Sequence, residues 1–198
     1  MTILISGFEP FGGYGINSSG LVVQALADNP PMPIRTALLP VSYDRCFSTL
    51  QPHITGDIQA IVMLGMNARE SAIHIERLGV NCADHNTPDI DGEVRRDRLL
   101  KTGPAAYFST LPGRRIEERL RDAGFQVRLS MSAGTYVCNA LLYLTLHHLA
   151  TTGLTVPAGF IHLPAPVHPD GGFEPSHPRL GPESLIAAVT LILAACRA

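Results

Sequence analysis

Two residues of this chain combine a reactive side chain with a position that favours its reaction, Cys138 and His162. Cys138 lies in Ala133-Gly134-Thr135-Tyr136-Val137-Cys138-Asn139, a turn that leads straight into an apolar helical stretch from Asn139 to Ala150. A thiol at a helix N-terminus faces the positive end of the helix dipole, which stabilises the thiolate and lowers the pKa. His162 ends the apolar run Gly159-Phe160-Ile161-His162-Leu163-Pro164, which reads as a strand. An imidazole beside that thiol would take its proton and later protonate a leaving amine. A third group must then hold the imidazole's tautomer. Glu76 and Asp84 are both candidates, and the sequence does not choose between them. Cys46 and Cys196 fall within helices and Cys82 in an irregular stretch, so these three read as small, reduced core thiols. The eight histidines include no H-E-x-x-H, and His147-His148 diverge on a helix, so no metal site is expected.

The elements that would position these groups alternate. Thr2 to Ser6, Ile34 to Val41, Ile58 to Leu64, Phe125 to Ser130 and Ala158 to Leu163 read as strands. Asn17 or Ser18 caps a helix carrying Leu21, Val22, Ala25 and Leu26, and Tyr43, Phe47, Leu50 and Ile54 mark a second amphipathic segment. Ile116, Leu120 and Ala123 mark a helix ending before Gly124, and Pro182 to Cys196 a last one with Pro in its first turn. Strands alternating with helices imply right-handed βαβ units, a mostly parallel sheet and helices on both faces. Ile73 to Asn81 looks extended and 86–92 turn-like, so 66–104 reads as a hairpin-like excursion. One domain over 1–198 is expected.

Ligands of such sheets bind at the carboxyl ends of the strands. The loop after the first strand, Gly7-Phe8-Glu9-Pro10-Phe11-Gly12-Gly13, lacks the ending of a phosphate-binding loop. Phe8 and Phe11 could instead wall a small pocket closely approached by glycine backbone.

Composition narrows the partners. With 15 basic and 17 acidic residues the formal net charge is −2, too little basic excess for phosphate neutralisation, so no nucleic acid is expected. The longest apolar run, Leu185 to Cys196, is too short to cross a bilayer, and the first residues read as a strand, not a leader. A cytoplasmic, membrane-free protein is expected. Charged residues are only 16% of the chain, well below the roughly 25% of an average soluble protein.

Four segments together resemble the pyroglutamyl peptidase I (pyrrolidone-carboxylate peptidase) family, cysteine omega-peptidases. They are Gly7 to Gly13 with Asn17, Glu76-Arg77-Leu78-Gly79-Val80-Asn81, Ser132 to Asn139, and Gly159 to Pro164. The resemblance runs from Ile3 to about Pro164. It implies Cys138 as nucleophile, His162 as base and acid, and Glu76, rather than Asp84, as the orienting carboxylate. It also implies that Phe8 and Phe11 flank a pyroglutamyl ring, with Asn17, Tyr136 and Val137 at the same pocket. The implied fold is a three-layer α/β/α sandwich of the phosphorylase/hydrolase-like type. The implied protein is a homotetramer or dimer without cofactor, acting on N-terminal pyroglutamyl peptides. Two stretches depart from the family pattern, Met66-Asn67-Ala68-Arg69-Glu70 and Asn86-Thr87-Pro88-Asp89, which would alter affinity or substrate range. Competing readings are a cysteine hydrolase of another cyclic amide or acyl group, and a non-catalytic peptide-binding homologue.

Overall fold

The β-branched run at the start of the chain forms β1 (Thr2–Phe8), buried along nearly its whole length. In the computed structural model, which describes residues 2–166 and 180–197, β1 pairs in parallel with β2 (Ile34–Leu39) and β3 (Ile58–Asn67). β2 stops at Leu39 rather than Val41; Pro40 has no N–H to give a ladder. Helix α1 (Ser18–Asp28) joins the first two strands, and Asn17 caps it by accepting from the Ser19 amide. The second amphipathic segment is a short helix, α2 (Arg45–Leu50), tightened into a 3₁₀ turn at Gln51–His53.

The middle of the chain differs from the expectation. Ile73 to Asn81 is not one strand but two, β4 (Ile73–Glu76) and β5 (Leu78–Val80), divided at Arg77. The Arg77 amide donates to Ser130 and its carbonyl accepts from Ser109, so the chain switches partners at that residue. β4 belongs to the main sheet, not to an excursion. β5 instead pairs antiparallel with β6 (Ala106–Phe108) in a small second sheet. The stretch between β5 and β6 is pinned by buried Asn81, whose amide bonds Leu100 and Gly103, and by Asp89. Helix α3 (Gly113–Asp122), β7 (Val127–Ser130), α4 (Val137–Thr152), β8 (Ala158–Pro164) and α5 (Pro182–Cys196) complete the order.

The main sheet runs β2-β1-β3-β8-β4-β7. β3 and β8 are parallel, β4 runs antiparallel to β8, and β7 follows β4 in parallel. One apolar cluster fills the face covered by α1, α3 and α5, through Val22, Leu26, Ile116, Leu120, Val189 and Ile192. A second fills the face covered by α2 and α4, through Cys46, Leu50, Leu141, Leu142 and Leu146. Helices on both faces make the mostly parallel α/β architecture that the alternation of elements predicts. Among the described residues no helix is long and apolar enough to cross a membrane.

Candidate active site

β1, β3 and β8 end at one edge of the sheet, and α4 begins there. α4 starts at Val137, two residues earlier than its apolar pattern suggests, so Cys138 lies inside the first turn. The residue before the helix, Tyr136, is extended and supplies no side-chain cap. That turn is fastened instead by Asn139, whose side chain accepts from the Val80 amide and donates to the carbonyls of Val80 and Cys82. The helix start that carries the thiol is thereby tied to β5.

His162 lies opposite Gly65 in the β3–β8 ladder. A Cβ at Gly65 would stand 2.6 Å from Phe160 and 3.1 Å from Cys138 Sγ. Glycine there leaves the space in which thiol and imidazole meet. His162 hydrogen-bonds Cys138 on one side, and its Nδ1 lies 2.8 Å from Glu76 Oε1 on the other. Glu76 is 1% exposed and His162 7%. Burial on its own would depress the imidazole's pKa; the charge of Cys138, the Cys138 hydrogen bond and Glu76 together outweigh it and raise it well above the ordinary histidine value. His162 is thus held as an imidazolium between two acids, and its Nδ1–H donates to the carboxylate.

The two carboxylates left open by the sequence are separated by this geometry. Asp84 is exposed, 3.5 Å from Arg96 Nε, and its backbone is bonded to Thr135. Glu76 alone of the two meets His162.

The implied pocket residues fall into two groups. Phe11 and Tyr136 face one another at 6.1 Å between ring centroids, and Tyr136 donates its hydroxyl to the Pro88 carbonyl at 2.8 Å. His85 lies 4.7 Å from the Tyr136 ring and Tyr43 meets it edge-on at 5.6 Å. Phe8, Asn17 and Val137 are buried. Phe8 packs against Phe160, and Val137 belongs to the core cluster. Asn17 and Ser19 hold the glycine-rich loop: Asn17 donates to the Glu9 carbonyl and Ser19 accepts from the Phe8 amide. Within that loop Gly12 and Gly13 both take positive φ, 66° and 82°, a conformation that glycine adopts without strain. Of the departing stretches, Asn86 accepts from Arg96 at 2.6 Å, and Met66 and Asn67 finish β3.

Sequence reasoning missed Gly65, Phe160, His85, Tyr43 and His74. His74 alone had a readable signal. In Ile73-His74-Ile75-Glu76 the period of two sets His74 on the same face as Glu76.

Comparison with known proteins identifies the family and the fold. The pyroglutamyl peptidase family model matches residues 1–197. The chain is 36% identical to the pyrrolidone-carboxylate peptidase of Vibrio vulnificus strain CMCP6, over 98% of this chain and 92% of that one. It is 39% identical to that of Halalkalibacterium halodurans, over 96% of each. The crystal structure of pyrrolidone carboxyl peptidase from Fervidobacterium islandicum AW-1 superposes with a TM-score of 0.91 at 32% identity, covering 98% of this chain and 96% of that one. Pyroglutamyl peptidase I from Bacillus amyloliquefaciens gives 0.90 at 28% identity, covering 98% and 94%. By the extent of these matches, this chain belongs to the pyroglutamyl peptidase family.

Proposed function

We propose that the protein is a pyroglutamyl peptidase I that removes N-terminal pyroglutamate from peptides through a Cys138–His162–Glu76 triad and an acyl-enzyme. The observation that carries this reading is the buried imidazole bonded to a thiol on one side and a carboxylate on the other.

Cys138 Sγ attacks the pyroglutamyl carbonyl carbon, and the carbonyl π-pair moves onto oxygen. Backbone amides at the start of α4 and in the first loop meet that oxyanion. His162 gives its proton to the leaving nitrogen as the C–N bond breaks, leaving a thioester and a free peptide amine. Water then attacks the thioester while His162 takes its proton. The C–S bond breaks, freeing pyroglutamate and restoring the thiolate–imidazolium pair. Glu76 holds the imidazole's orientation in both halves.

A neutral lactam needs apolar walls and a few polar partners rather than a countercharge, which suits Phe11, Tyr136 and the glycine-rich loop. A site that pairs the ring N–H and C=O rejects proline, because buried polar groups would be left unpaired. The same reading has the protein cytoplasmic and assembled as a homotetramer or dimer. Its support is the low charge and the exposed apolar pair Phe108 (62%) and Leu154 (41%), flanking a cavity of about 350 Å³ at the start of β8. A sedimentation mass near one 21.3 kDa chain overturns the assembly.

The test compares wild type with Cys138→Ser on a pyroglutamyl-coumarin amide and on prolyl, alanyl and other cyclic-acyl amides. Turnover confined to the pyroglutamyl amide and abolished by the substitution is expected. Full turnover by Cys138→Ser overturns the mechanism, and turnover of a different acyl amide overturns the substrate.

A further inference from the structure

Besides Cys138 and Glu76, a third titratable side chain adjoins His162. The β4–β8 ladder sets His74 directly opposite His162, and the β4–β7 ladder sets it opposite Arg128. Residues directly opposed in a ladder share a face, with Cβ atoms about 4.5–5.5 Å apart. His74 is buried, and its Nε2 has no hydrogen-bond partner. The nearest counter-charge is Glu70 Oε2 at 3.7 Å, an oxygen that Arg128 also holds at 2.7 Å. The second oxygen of Glu76, two residues along the same strand, is likewise buried without a partner.

We propose that His74 is a positioning residue for the catalytic pair, which neutral leaves the His162 imidazolium undisturbed and protonated sets a second cation against it and switches the enzyme off in acid. The inference rests on the triad reading given above. The charged groups facing His74 are Glu70 from the segment after β3, Glu76 on its own strand, Arg128 on β7 and His162 on β8, with Cys138 beyond His162. Burial first, then Arg128, hold His74 below the ordinary histidine range, against the pull of Glu76 and Glu70. Near neutrality it therefore carries no charge, and His162 is the only cation of the two. In acid, protonation of His74 places like charges side by side in a site that water barely enters. His162 can then shed its proton or turn away from Glu76, and either loses the geometry that both half-reactions require.

The test is the acid limb of kcat/KM against pH for wild type, His74→Gln, Glu70→Gln and Arg128→Gln. Wild type falls more steeply than one proton allows, and His74→Gln falls with the slope of a single proton. Glu70→Gln moves the limb to lower pH and Arg128→Gln to higher pH, each by about half a unit for such partly exposed charges. These opposite shifts are not expected from a merely structural role, and they are readable even where His74→Gln fails to fold. Histidine ring resonances of the Cys138→Ser protein follow the His74 titration without any need for activity. The same acid limb in wild type and a folded, active His74→Gln overturns the proposal. Turnover by Cys138→Ser would instead overturn the triad on which it rests, so the two failures are distinguishable.

Discussion

His162 Nδ1 lies 2.8 Å from Glu76 Oε1 across the antiparallel pairing of β8 with β4, the two residues 86 positions apart in sequence. In that ladder Glu76 stands opposite Phe160, two residues below His162, so the carboxylate reaches up to the imidazole diagonally. Glu76→Gln keeps the shape but removes the charge and scrambles the tautomer preference. A fall in kcat of about 10²- to 10⁴-fold is expected. Glu76→Ala also leaves a buried imidazolium without its partner, and a stability loss of about 3 kcal/mol is expected from denaturant melts. Near-wild-type kcat in Glu76→Gln would remove the orienting role.

Alkylation separates Cys138 from the buried thiols Cys46 and Cys196. Burial pushes the Cys46 and Cys196 thiols up to about 12 each, so neither forms thiolate near pH 7. Cys138 is only partly buried and bonded to His162. Iodoacetamide at neutral pH is expected to label Cys138 first, with activity lost in step. Peptide mapping by mass spectrometry checks this, and early label on Cys46 in folded protein would contradict it.

Gly65→Ala drives a methyl to within 2.6 Å of the Phe160 ring and 3.1 Å of Cys138 Sγ. Overpacking of this kind costs about 1–3 kcal/mol. Because the displaced atoms include the nucleophile, kcat is expected to fall at least about tenfold, a 1 Å misplacement costing far more than its packing strain. Thermal melts and steady-state rates on one preparation separate the two effects.

Removing the Phe11 ring, which faces Tyr136, is expected to act on binding of the acyl group. Phe11→Ala should raise KM about tenfold, leaving kcat within a factor of about three, as for an interaction made equally in ground and transition states. A loss confined to kcat would place Phe11 outside the binding wall.

Stability should peak near neutrality. His162 is raised in the folded state, so its contribution is complete below the unfolded histidine value of about 6.5 and is lost as pH climbs into the alkaline range. His74 is lowered, so its contribution is present above that value and lost as pH falls through its folded pKa. Urea midpoints from pH 4 to 10 are expected to form a dome, with the acid side flattened in His74→Gln. An acid side unchanged by that substitution would contradict the assignment.

What was legible in the sequence follows from which interactions are local. Cys138 and His162 were found because each sits at a strand end or helix start, and those boundaries are written in turn residues and apolar periodicity. Glu76 was not separable from Asp84 by the residues alone, because its role depends on β4 pairing with β8, a strand far along the chain. The rule that ligands bind at strand carboxyl ends does not reach Glu76 either. β4 runs against β8, so its end points away from the edge where the thiol lies. The small sheet of β5 and β6 was missed because three-residue strands carry too little pattern to be read. Asn17 and Val137, expected at the pocket, are both buried: Asn17 fastens the first loop and Val137 packs into the core.

The placement of β4 also bears on how the enzyme comes into being. In the main sheet this strand has only β8 and β7 as neighbours, both later in the chain. Contacts of such long sequence separation form late, after the entropy of closing the intervening loop has been met. On the ribosome, β4 must wait for more than half of the chain, and Glu76 cannot meet its imidazole until β8 has emerged. A nascent or truncated chain ending before β8 would therefore carry the thiol and Glu76 without the imidazole that joins them, so the triad assembles only once the sheet around it is nearly closed.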